Sequence, residues 1–114
     1  MRVLKELRHI LPYEKCFVKA AALDVIEAIS CDATAYKEPW HIVGTVKVYG
    51  NESQISLEIK EVDLKHSDIC IRMIHPAPNL SEEGQGRTLS FLADSMAQLL
   101  ENTFTEQREQ QVMG

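Results

Sequence analysis

The residues of this chain able to do chemistry are four histidines, three cysteines, seventeen acids and one glycine pair. His9, His41, His66 and His75 stand alone along the sequence, without the paired spacings that build a zinc site. His41 enters the first long strand and His75 leaves the third. In a meander these strands run parallel, so a shared His41–His75 site is not expected. Cys16, Cys31 and Cys70 could act as nucleophiles beside a histidine. None, however, sits in a glycine-framed turn or at a clear helix N-terminus that would lower its pKa. Asp24 and Glu27 fall on one helix surface, and Glu61 and Asp63 flank a turn. Acid–base pairs need a cleft that separates their pKa values, and nothing in the pattern implies one. Glu83–Gly84–Gln85–Gly86–Arg87–Thr88 precedes a helix as phosphate loops do, but it lacks their lysine and follows acids that repel phosphate. The expectation is no catalytic residue, no metal and no cofactor. An enzymatic reading would have to rest on His41 or His75 with Arg72.

The composition sets the frame for these residues. A chain of 114 residues, 45% hydrophobic and 25% charged, is one domain large enough to bury a core. Its net charge of −5 opposes nucleic-acid binding. The basic residues near the start (Arg2, Lys5, Arg8, Lys15, Lys19) read as a solvated face. No signal peptide or membrane-length apolar run is visible. Three cysteines without CxxC spacing suit free thiols in a soluble cytoplasmic protein.

The elements follow from periodicity. Val3, Leu4, Leu7, Ile10 and Leu11 share one side at helical spacing, which predicts a helix over 2–11 ended by Pro12. The alternative is that Leu4–Leu11 pairs on a sheet edge. Tyr13–Phe17 reads as a short extended stretch. Val18, Ala22, Val25, Ile26 and Ile29 make a helical stripe, and Ser30–Pro39 reads as a loop. Three strands alternate in period two from Ile42 to His75, with turns at Gly50–Ser53 and Asp63–Ser67. Facing the apolar sides together pairs Val46 with Leu57, Val48 with Ile55, Leu57 with Met73 and Ile59 with Ile71. It also sets Glu58 opposite Arg72. Ser81 followed by Glu82 and Glu83 marks a helix start, with regular helix from about Thr88. Leu89, Leu92, Ala93, Met96, Leu99 and Leu100 form its stripe. Residues 1–105 are expected as one domain and the polar run Glu106–Gly114 as a flexible tail.

These elements make an α+β fold: a three- to four-stranded antiparallel sheet with two main helices on one face. The opposite face, with Tyr49, Arg72 and Ile74, is mixed enough to be an interface, so a homodimer or another protein partner is expected there. The sheet–helix wall of Trp40, Val46, Leu57, Met73, Leu92 and Met96 is the candidate site for a small apolar ligand. The same six residues also read simply as core.

Two families share this order. From Asp24 to the helix after Gly84–Gln85–Gly86, the chain resembles the α-β-β-β-α order of a double-stranded RNA-binding domain. The lysine cluster of that family is replaced by Arg87–Thr88–Leu89–Ser90–Phe91, so its activity is not expected. Ala22–Asp32, Trp40, the strands and the long last helix resemble the helix-grip (START-like) pattern, which implies an apolar cavity between sheet and helix. The function expected is a non-catalytic interaction or dimerisation module, alternatively a small apolar-ligand carrier. Neither a nucleic acid nor a membrane is expected as a partner.

Overall fold

Pro12 would end any helix over the residues before it, and those residues join a sheet edge instead. The computed structural model describes residues 4–30 and 35–113, with side chains described except at 35–38 and 105–113. Glu6–Leu11 is strand β1, not part of a helix. It lies antiparallel to the later strand His66–His75, with Glu6 opposite Arg72 and Leu11 opposite Ser67. Leu11 is buried while Leu4 and Ile10 are exposed, so the helix-like spacing was a coincidence of an edge strand with apolar residues on both faces.

The Tyr13 N–H donates to the Leu11 carbonyl at 2.9 Å, and the chain turns directly into α1 (Lys15–Ile29). The stretch expected as extended is therefore this turn and the first helical turn. Val18, Ala21, Ala22, Val25 and Ile26 are the buried stripe of α1. Strand β2 (Ala35–Glu38) pairs with β3 (His41–Val48) inside the segment read as loop. Residues 31–34, Cys31 among them, lie outside the described residues.

Strands β3, β4 (Asn51–Asp63) and β5 (His66–His75) form the expected meander in a different register. Val46 faces Ser53 rather than Leu57, and Leu57 faces Ile71 rather than Met73. The first hairpin closes in two residues: Tyr49 has φ 52° and Gly50 φ 80°, the left-handed pair of a type I′ turn. Asn51–Ser53 are thus strand, not turn. Arg72 faces Ser56 on β4 and Glu6 on β1, not Glu58.

The last helix, α2 (Glu82–Met113), is opened by Ser81, whose Oγ accepts from the Gly84 N–H at 3.0 Å. Gly84 and Gly86 lie within it, so regular helix begins before Thr88. A Cβ on Gly84 would stand 2.5 Å from Leu80 Cδ1, so a larger residue there requires the Leu80 side chain to shift. The helix also continues through the polar run to Met113.

The sheet order is β1-β5-β4-β3-β2 with every pair antiparallel. Both helices pack on one face of it. The α+β class and the layering agree with the sequence. The sheet has five strands rather than three to four, because both edges add one.

Candidate functional site

The six residues of the expected ligand wall do come together, as core. Val46, Leu57, Met73, Leu92 and Met96 are 0–2% exposed and belong to one apolar cluster. Trp40 is half-buried at its margin. The ammonium groups of Lys15 and Lys19 stand 4.7 and 5.0 Å from the centre of its ring, a cation–π arrangement. The basic residues of early α1 are therefore committed to an indole.

Of the expected interface residues, Arg72 and the half-buried Ile74 both lie on β5, whereas Tyr49 does not lie within a strand. Tyr49 sits in the β3–β4 turn, and its ring meets Phe91 of α2 edge-on, with centroids 5.7 Å apart. Arg72 lies on the outer sheet face in a polar cluster. Its Nε donates to Glu6 Oε1 at 3.0 Å, the Cys70 thiol donates to the same oxygen at 2.9 Å, and Arg8 Nε stands 3.5 Å away. The thiol hydrogen bond and then the Arg72 hydrogen bond hold the Glu6 carboxyl down at about 2. Burial, then Glu6 itself, pushes the Cys70 thiol up. A carboxylate so stabilised is a poor base, and a protonated thiol is a poor nucleophile. This cluster fastens β1 to β5.

The histidines are placed apart. His41 faces Glu58, and His75 faces Gln54 four residues away on the same strand. His41 Nδ1 is 3.9 Å from Glu58 Oε1. His66 Nδ1 is 2.8 Å from Asp63 Oδ1 at the β4–β5 tip. That contact, then the Lys65 N–H, lowers the Asp63 pKa. Cys16 is exposed and free. Among the described residues no three histidine, cysteine or acidic side chains converge as metal ligands, and no helix is long and apolar enough to cross a membrane.

Two grooves mark the helical side. One, of about 820 Å³, lies open between α1 and α2, with Val25, Ala28, Phe91 and Leu99 among polar residues such as Asp24, Arg87 and Asp94. The other, of about 450 Å³, is formed where the β1–α1 turn, the β4–β5 tip and α2 meet. Pro12, Tyr13, Glu14, Phe17, Lys65, Glu101 and Phe104 line it. Phe104 stacks on Tyr13 with centroids at 5.0 Å and meets Phe17 edge-on at 5.1 Å. Phe17 remains 43% exposed, leaving aromatic surface open toward solvent. The cleft is mixed, three aromatic rings beside the charged Glu14, Lys65 and Glu101, and its volume lies within the roughly 300–1,000 Å³ of ordinary small-molecule sites. Sequence reasoning passed over this cleft. Its one signal was Phe17, an aromatic beside, and not on, the Val18–Ala22–Val25 stripe.

The fold is similar to that of a START superfamily protein from Mycobacterium smegmatis, with a TM-score of 0.63 over 88% of this chain and 98% of that one. Identity is 8%, so the likeness shows the fold alone, and that fold is the START-like one read from the element order. The structure of Ara h 8.0201 aligns at a TM-score of 0.41 and 8% identity, over 91% of this chain and 98% of that one. No family model matches the chain, and no curated protein sequence matches it.

Proposed function

We propose that this chain is a non-catalytic binding domain for a small apolar ligand with a polar end, seated in the Tyr13–Phe17–Phe104 cleft. The observation that carries the reading is this three-ring cleft of about 450 Å³ on a START-like framework. The rings supply stacking surface for the apolar body. Lys65, Glu14 and Glu101 at the rim supply donors and acceptors for the polar end. The buried wall of Val46, Leu57, Met73, Leu92 and Met96 is support behind the site. Free Cys16 and Cys70 suit a reducing compartment, and we place the protein in the cytoplasm on that ground.

The test is titration of the full chain with the fluorescent probe 8-anilinonaphthalene-1-sulfonate. The reading expects saturable binding at one site, weakened about tenfold or more by Phe104→Ala, equivalent to ~1.4 kcal/mol. Equal binding by the variant, or none by the wild type, overturns it. A second reading, association with another protein chain, is favoured by the exposed edge of β1.

A further inference from the structure

Strand β1 ends the sheet, with β5 on one side and, among the described residues, no strand on the other. The Met73 N–H donates to the Lys5 carbonyl at 3.0 Å. In an antiparallel ladder the pairing groups alternate along the strand. The Lys5 carbonyl and the backbone groups of Leu7 and His9 are therefore directed at β5, while the Lys5 N–H donates to Gln85 Oε1. The N–H and C=O of Glu6, Arg8 and Ile10 are directed at the open edge. Four side chains on the outer face flank this edge. Leu4 and Ile10 are large apolar residues 49% and 56% exposed, and Glu6 and Arg8 lie between them.

Charges on an edge strand ordinarily deter pairing with another chain. Here their order makes the strand complementary to itself. We propose that β1 pairs antiparallel with β1 of a second copy about a two-fold axis at Leu7, joining two five-stranded sheets into one. In this register Glu6 lies opposite the partner's Arg8, Arg8 opposite the partner's Glu6, and the exposed Leu4 opposite the partner's exposed Ile10. Each open N–H and C=O meets its counterpart, because Glu6, Arg8 and Ile10 pair only among themselves and with Leu4.

The neighbouring registers that satisfy the backbone are worse. A slip toward the N-terminus sets Glu6 against the partner's Glu6, and a slip the other way sets Arg8 against the partner's Arg8. Like charges facing across strands are destabilising. The chosen register has one unhelpful pairing, which the two-fold axis repeats: the half-buried Lys5 opposite the partner's exposed His9. An isologous contact of this kind closes on itself as a dimer and does not propagate. The inference goes beyond the ligand reading and is independent of it, since none of the cleft residues takes part.

Sedimentation of the full chain over a concentration series tests it. The wild type is expected to show a monomer–dimer equilibrium. Glu6→Arg leaves two cations at each pairing position and Arg8→Glu leaves two acids. Each variant alone is expected to raise the dissociation constant about tenfold or more, equivalent to ~1.4 kcal/mol. Mixed in equal amounts they should recover the dimer, because every facing pair is then opposite in sign, and native mass spectrometry should find one copy of each.

Circular dichroism checks that both variants fold. If Glu6→Arg does not, Ile10→Pro decides, because it removes an N–H aimed at the open edge and leaves the β5 ladder intact. A wild type that stays monomeric overturns the inference. So does a dimer indifferent to Arg8→Glu and Ile10→Pro, or a mixture of folded charge variants that stays monomeric.

Discussion

Phe104 and Leu92 lie on the same helix, and truncating each separates an aromatic ligand cleft from an apolar interior. Leu92 is fully buried in the core cluster, so Leu92→Ala removes its transfer energy and leaves a cavity, at a cost of ~2–5 kcal/mol. Phe104 is half-buried and holds two ring contacts, at 5.0 and 5.1 Å. Two such pairs at ~0.5–1.5 kcal/mol each, discounted for exposure, put Phe104→Ala at ~1–2 kcal/mol. A chain of this size loses roughly 4 °C in Tm per kcal/mol. The expected falls are therefore about 8–20 °C for Leu92→Ala and about 4–8 °C for Phe104→Ala by these conversions. Binding of the naphthalene probe, measured well below both melting points, should reverse that order. Phe104→Ala should lose affinity, while Leu92→Ala keeps it. A Leu92→Ala variant with much altered affinity beside an unchanged Phe104→Ala would place the ligand in the interior and refute the cleft assignment.

Other perturbations probe the framework. Glu6 is depressed from 4.5 to about 2 on folding, so its contribution is complete above the unfolded value and is lost as pH falls through the folded one. The Tm difference between wild type and Glu6→Gln should be constant near neutrality and shrink from about pH 4.5 toward pH 2, the two values that bracket the Glu6 shift; a gap that widens on acidification would contradict the assignment. Gly50 has φ 80° with open space around a Cβ, so Gly50→Ala carries backbone strain alone, and urea unfolding should show a loss of ~1–2 kcal/mol. Gln85 is 1% exposed, and its Oε1 accepts the Lys5 N–H at 3.1 Å. Gln85→Ala should cost ~1–3 kcal/mol and speed hydrogen exchange at the Lys5 amide, and an unchanged exchange rate would refute that link.

The layering of this fold was legible in its sequence because period-two and helical stripes report which face is buried. Val46, Leu57 and Ile71 read as inward and are inward. Register was less legible for a physical reason. A slip by an even number of residues keeps every side chain on its face, so Val46 suits Ser53 or Leu57 equally on pattern alone. The choice falls to the turn, and Tyr49–Gly50 takes the two-residue form without the asparagine that usually signals it. The edges were harder still, since Leu4 and Ile10 face solvent and so blur the alternation that marks a strand. Tyr13 and Phe17 are far from Phe104 in sequence, and only the packing of α2 against the β1–α1 turn and α1 brings them together. The dependence of Arg72 on Glu6 was hidden likewise, because it needs β1 in the sheet.

The most direct test of the ligand assignment is native mass spectrometry of the full chain purified gently, beside Phe104→Ala prepared identically. The account predicts a reproducible small-molecule adduct on the wild type that the variant loses. A bare wild-type mass, or an adduct held equally by both proteins, would contradict it.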